Sequence, residues 1–521
     1  MKNFFSLILF SAFLCFSSCK KESNPIVSKE PFKIISIDST DLPNFFLKFP
    51  DLKKYQSELE NIYAKHNNNI IWKNEHGIKE FANVLHHKIQ NLNEDGINIE
   101  IPHFKEFDQI FSHDDESKLS DVEKDILISS MYFHYVEEAF KGIDEKITEK
   151  IGWLLPRKKT DFTNFLDSLI VNPKLLDEDK HTVIPQYHKL KFQLHRLNEI
   201  DKNGNWAILP KEDKKLTNLK FGDSSKFVLD IKNNLHLLGD LKLNNKTPFF
   251  DDDLKKALIS FQKRHNRIID STKISQKTIN DLNVSPKERI KKILLNMERC
   301  RWLDPELMNG KEYVFVNIPA YHLNYVKNNK TAFDCNVVVG KSASKTVIFS
   351  GNMSYIVFSP YWNVPQSIIN KEVKPGMKKE GQNYLTRHHM EWNNGRVRQT
   401  PGDHNSLGLV KFIFPNSNNI YLHDTPSKSL FNKESRAFSH GCIRVGKPKD
   451  LAVAILKDDK NWTEEKINKA MHTGKENSYV LKNKIPVIIG YFTAWVNENN
   501  ELIMYEDIYE RDDKLSNLIL H

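Results

Sequence analysis

Ser439-His440-Gly441-Cys442-Ile443-Arg444 is the stretch that decides how this chain is read. A second histidine, His423, stands nineteen positions before Cys442 in the segment Tyr421-Leu422-His423-Asp424-Thr425. A thiol is only a few per cent ionised at neutral pH, so a nucleophilic cysteine needs a nearby base or positive field. Here two histidines and an arginine surround the sulfur in sequence, and a glycine directly precedes it. Gly441 lets the backbone turn sharply enough to aim consecutive N–H groups at a developing oxyanion. The stretch reads as the centre of a cysteine acyl-transfer enzyme.

Outward from it, the sequence has a strand rhythm. Tyr313–Ile318 and Tyr321–Val326 flank a Pro-Ala turn as a hairpin, and Asn336–Gly340 and Tyr355–Phe358 continue the pattern. Strands resume at Leu409–Phe414 and Ile420–His423, then at Val487–Val496 and Leu502–Ile508. Residues 366–398, rich in Lys, Gly, His and Asn, are too long for an ordinary connection and suit an active-site lid. His388 and His389 lie in that lid without a carboxylate pattern for metal binding, and read as surface residues.

Upstream the rhythm is helical. Leu52, Tyr55, Leu59, Ile62 and Tyr63, and again Ile78, Phe81, Leu85 and Ile89, recur at helical spacing. Residues 226–285 look like a separate unit. Gly239 closes a first helix, Phe249–Arg264 is amphipathic, and Phe261-Gln262 leads through Asp270 to Ile274, Thr278 and Leu282. That order resembles the three-helix peptidoglycan-binding module, although its turn, Asn266 to Thr272, has no glycine. Pro286 to Trp302 reads as a connecting helix.

Met1-Lys2-Asn3 is a short positive start, followed by an almost wholly apolar run from Phe4 to Phe16. This is too short to span a bilayer comfortably and fits a secretory signal. Ser17-Ser18-Cys19 followed by Lys20-Lys21-Glu22 resembles a bacterial lipoprotein processing site, with Cys19 the lipidated residue. The expected location is the cell envelope, lipid-anchored to a membrane and facing the periplasm.

The net charge of +9 comes from 76 basic and 67 acidic residues spread along the chain. No arginine-rich block or nucleic-acid motif accompanies it, so nucleic acid is not an expected partner. If Cys442 stays free, only Cys300 and Cys335 could pair, with two buried free thiols as the alternative. No phosphate loop, zinc motif or dinucleotide fingerprint is present, and cysteine chemistry needs neither a metal nor a cofactor.

His423, fifteen intervening residues and the Ser439–Arg444 hexapeptide together closely resemble the L,D-transpeptidase signature. Pro360–Pro365, Gln399-Thr400-Pro401-Gly402, Asn405-Ser406-Leu407-Gly408 and Tyr421–Pro426 strengthen the likeness to the large, capped Gram-negative subfamily. The resemblance implies a multidomain α+β protein. Its parts would be a signal peptide (1–19), a tether (20–43), a helical scaffold (44–225), the peptidoglycan-binding-like domain (226–285), a connecting helix (286–310) and a mainly β catalytic domain (311–512). It implies Cys442 as nucleophile and His423 as base, with His440, Gly441 and Ser439 shaping the site and the oxyanion pocket. Arg444 and Tyr421 would bind substrate. The implied partner is peptidoglycan, through its tetrapeptide stems, and the implied reaction is 3→3 cross-linking. Hydrolysis of stems or of protein–peptidoglycan links, and a non-catalytic binding lipoprotein, are the alternatives. The oligomeric state is left open.

Overall fold

The computed structural model describes residues 34–178, 182–211, 213–270 and 272–520. The expected signal peptide, Cys19 and the first part of the tether lie outside these residues.

The catalytic part is built on ten strands. They are β1 (Trp153–Leu154), β2 (Glu312–Asn317), β3 (His322–Lys327), β4 (Lys330–Gly340), β5 (Ile348–Phe358), β6 (Val410–Ile413), β7 (Leu422–His423), β8 (Ala437–Ser439), β9 (Ile443–Val445) and β10 (Asn477–Gly490). Eight of them run in the order β6-β7-β9-β4-β3-β2-β10-β5, and β5 pairs back onto β6. The sheet therefore closes on itself, which removes its free edges. Most neighbours are antiparallel, but β7 and β9 run parallel, as do β2 and β10. Val314, Val316, Leu323, Tyr325, Val337, Leu422 and Ile443 are fully buried and belong to its core. The strand rhythm of the sequence is thus a mainly β catalytic domain following a helical region, the α+β class expected.

Sequence periodicity did not show β1. This two-residue strand comes from the helical region and lies parallel to the start of β5, Trp153 opposite Ile348. Buried Trp153 packs edge-on against Trp302 and Phe492, at 5.2 and 5.8 Å between ring centroids. One apolar cluster runs from Phe45 in the helical region through the barrel to Leu515. The scaffold and the barrel share a core.

Helix Pro286–Arg301 is more than the connector expected from sequence. Ser285 and Glu288 form a capping box and Pro286 takes the first turn, which sets its start. From Leu295 to Arg301 every residue is buried. Its polar side chains are satisfied by both neighbours. Asn296 bonds the Thr493 hydroxyl and backbone at 2.9 and 2.8 Å, and Arg299 pairs with Asp512 at 2.7 Å. Glu298 accepts from Ile143 N–H and Trp302 Nε1, each at 2.7 Å. Cys300 on this helix and Cys335 on β4 are both buried and free.

The three-helix unit has its own core under helices Lys226–Leu238, Asp252–Arg264 and Gln276–Leu282. That core also takes in Leu209, Leu216 and Leu219. The packed unit therefore begins upstream of residue 226, the boundary drawn from sequence. The Phe261-Gln262 segment is packed inward: Gln262 bonds Thr278 and the Asp270 N–H, closing the glycine-free turn from inside.

The 366–398 segment is a small folded unit, not an open loop. Short helices and strands Met390–Asn393 and Arg396–Gln399 pack over Val364, Ile369, Val373, Leu385 and Val397. Gln399 pairs with Trp362, so both ends of the insertion leave the barrel side by side. Among the described residues no helix is long and apolar enough to cross a membrane.

Candidate active site

The parallel register of β7 and β9 places the chemistry. Leu422 lies opposite Ile443 and His423 opposite Arg444. Leu422 and Ile443 are both fully buried in the barrel. Successive side chains on a strand point to opposite faces, so Tyr421 and His423 share the outer face with Cys442 and Arg444. Tyr421 and His423 are ring neighbours at 5.7 Å. The Tyr421 carbonyl accepts from Ile443 N–H at 3.2 Å, which holds Tyr421 alongside Cys442.

The turn carrying the thiol is ordered by Ser439. Its buried hydroxyl donates to the Cys442 carbonyl at 2.5 Å and accepts from Gly441 N–H at 3.1 Å. Gly441 sits at φ +118°, where other residues are strained. The loop after β4 cradles the turn: Thr346 Oγ1 donates to the Gly441 carbonyl at 2.8 Å, and Lys341 N–H donates to the Ser439 carbonyl at 3.0 Å. Since Gly441 N–H is taken by Ser439, the amides of His440 and Cys442 are the two left for an oxyanion. His440 itself is exposed.

The electrostatics divide the four outward groups. Burial pushes the Cys442 thiol up, while hydrogen bonds from Tyr421 and the Arg444 charge pull it back. The Sγ also reaches the Asn419 carbonyl at 3.6 Å. Tyr421 is raised by burial and then by the adjacent thiol. His423 is pushed down to about 3, first by burial and then by Arg444, so its imidazole is neutral at physiological pH. Its Nδ1 meets the Asp424 carbonyl at 2.5 Å, and the Leu407 backbone is a second partner. Among the described residues His423 makes no hydrogen bond to Cys442; Tyr421 is the side chain that hydrogen-bonds the sulfur. Arg444 has no carboxylate partner among the described residues, and its Nε is buried without an acceptor.

A family model for the L,D-transpeptidase catalytic domain matches residues 311–467, and one for a scaffold domain matches residues 57–194. Over residues 311–467 the chain is similar to the L,D-transpeptidase catalytic-domain family. A Haemophilus influenzae protein named as an L,D-transpeptidase is 35% identical over 246 residues, covering 43% of this chain and 49% of that one. The alignment thus spans about half the length of that relative. Among solved structures, the L,D-transpeptidase of Stackebrandtia nassauensis is 15% identical over 53% of this chain and 96% of its own, with a TM-score of 0.21. That of Xylanimonas cellulosilytica is 11% identical over 52% and 97%, with a TM-score of 0.18.

Within this domain, the other motif blocks hold the insertion to the barrel. Asn405, fully buried, donates to the Pro360 and Thr400 carbonyls, both at 2.9 Å. Gln399 donates to the His388 and His404 carbonyls at 3.0 and 3.2 Å and accepts from Ser406 N–H at 2.8 Å. Gly408, at φ +62°, lies against Asp424, and a Cβ there would come within 2.3 Å of its carboxyl carbon. His389 stacks flat on His404 at 4.4 Å between ring centroids. Half-buried Trp362 packs on the insertion's core. The Thr346 cradle and the Tyr421–sulfur contact escaped the sequence reading. Strand alternation puts Tyr421 on the face of His423, but the parallel register that brings it to the sulfur leaves no signal in the sequence. Among the described residues, His134, Glu137 and Glu138 alone are close enough to share a metal ion. Lys54 already places its ammonium 2.7 Å from Glu137.

Proposed function

We propose that this chain is an L,D-transpeptidase that joins peptidoglycan stem peptides by 3→3 cross-links through a thioester on Cys442. The observation that supports this best is the shared outer face of Cys442, Tyr421, His423 and Arg444 within a domain similar to that family. Arg444, without an internal acid, is suited to hold a substrate carboxylate through its planar fork. Its charge depresses His423. A carboxylate seated on Arg444 offsets that field and lets the neutral imidazole take up the thiol proton, directly or through one water. The Tyr421 hydrogen bond supports the thiolate. Sulfur then attacks the tetrapeptide carbonyl, and the amides of His440 and Cys442 receive the oxyanion. The C–N bond to the terminal D-alanine breaks, and its nitrogen takes the proton from His423. The side-chain amine of a second stem's diaminopimelate gives up a proton to His423 and attacks the thioester carbonyl; the C–S bond breaks, and the sulfur takes that proton back from His423 as the free thiol.

Purified full chain incubated with disaccharide-tetrapeptide tests the reaction by mass. Dimers that have lost one D-alanine are the expected product; monomeric tripeptide alone would show water to be the acceptor and overturn the cross-linking assignment. Cys442→Ala is expected to abolish either product. A carbapenem is expected to add covalently to Cys442 and not to the alanine variant. The lipoprotein-like sequence around Cys19 supports a lipid anchor that keeps the enzyme at the envelope membrane, facing the periplasm and the polymer. Radiolabelled palmitate incorporation, lost in Cys19→Ser, is the matching check.

A further inference from the structure

A cavity of about 770 Å³ belongs to none of the chemistry above. It opens where all three parts meet. The scaffold helix Pro185–Asn203 contributes Gln186 and Lys189, and the three-helix unit contributes Lys263, Arg264 and Asn266. The outer face of β2 to β4 contributes Tyr313, His322 and Asn336, and Trp495 stacks on Phe315 at 5.3 Å between ring centroids. Pockets of this size are the scale on which small ligands are enclosed.

One wall is electrostatically incomplete. Arg436 is only 3% exposed, yet among the described residues it has no carboxylate partner. Its neighbours are the Lys433 carbonyl at 2.8 Å, the Asn266 side chain at 3.2 Å and the Tyr321 ring, and its Nε is buried with no acceptor. A buried guanidinium without a counter-charge is costly to hold. Lys189 and Lys263 line the same cavity, and no salt bridge engages either among the described residues. Arg264, by contrast, is neutralised by Asp240. Against these three free cations stand two acids, Asp334 and Glu498. Asp334 is half-exposed and 3.7 Å from His322, and Glu498 accepts from Thr331 at 3.1 Å.

We propose that this cavity is a second, non-catalytic site that binds the carboxylate of an acidic cell-wall glycopeptide, with the sugar or peptide body lying against Trp495 and Tyr313. The proposal rests on the transpeptidase reading for its choice of polymer, but not for the site. It would let the enzyme hold one strand through a cavity that all three parts build while the thiol works elsewhere on the barrel.

The test uses full-length protein whose Cys442 has been saturated with a carbapenem, titrated with disaccharide-tripeptide in a calorimeter. Saturable binding of one equivalent is expected, weakening as salt rises because charge carries it. Lys189→Ala and Lys263→Ala lie at the rim and are expected to weaken it about fivefold each, the scale of one lost surface charge. Arg436→Gln is expected to remove it, with the unfolding midpoint recorded to separate loss of binding from loss of fold. Equal affinity in the two lysine variants, equal affinity for an uncharged chitin trisaccharide, or no binding to the blocked wild type would overturn the proposal. Absence of the carbapenem adduct, with tripeptide still bound in a manner sensitive to Lys189→Ala, would sink the transpeptidase reading and leave this one standing.

Discussion

Arg444 touches the outcome of two titrations at once, since its charge lowers both the Cys442 thiol and the His423 imidazole. Arg444→Gln is therefore expected to move the pH midpoint of Cys442 alkylation upward, while the His423 ring, followed by NMR, also titrates at higher pH. A variant that moved neither would show that the guanidinium does not face these groups. Tyr421→Phe removes one hydrogen bond to the sulfur and is expected to slow carbapenem acylation about tenfold at neutral pH, with recovery at higher pH. Native protein treated with a thiol reagent is expected to label Cys442 and spare Cys300 and Cys335, which are buried and whose thiols are pushed up, Cys335 to about 11. The hexapeptide and His423 were legible because a reactive sulfur needs particular neighbours at particular spacings. The contact of Tyr421 with sulfur was not, because it depends on a parallel register that no local pattern encodes.

The insertion shows how an element can be visible by its length and yet misread in kind. Its lysines, histidines and asparagines look like loop residues, but five spaced apolar side chains are enough to give it a core. Because Trp362 and Gln399 are paired neighbours, a short Gly-Ser linker from Asn363 to Arg398 should close without strain. Such a deletion is expected to leave the barrel folded and Cys442 able to react with a carbapenem, while turnover of disaccharide-tetrapeptide is lost. A barrel that fails to fold without the insertion would contradict the independence of that core. Gly408→Ala is a finer probe of the same junction. The positive φ and the 2.3 Å approach to Asp424 predict a loss of roughly 2 kcal/mol in stability, read by denaturant titration. β1 lay beyond the reach of sequence patterns for a simpler reason: two residues cannot show a period.

At the scale of the whole molecule, buried imidazoles set an acid limit. His134 is pushed down to about 4, His423 to about 3 and His265 well below its usual range, each by burial. The unfolded chain binds these protons near pH 6.5 and the folded one does not. Stability is then complete above about pH 6.5 and falls as pH drops toward 4, by up to about 1.4 kcal/mol per unit for each such group. Unfolding midpoints measured at pH 7.5 and 4.5 are expected to differ by several degrees, and a flat profile would mean these rings are solvated. The division into helical and β halves was legible from periodicity, whereas their fusion into one core was not. That fusion has a consequence for synthesis. β1 emerges from the ribosome about 200 residues before β5, the strand it must join. The scaffold cannot finish folding until the barrel strands it packs against have followed it, so its early-made segments must stay open, or be shielded, for longer than they would as a separate domain.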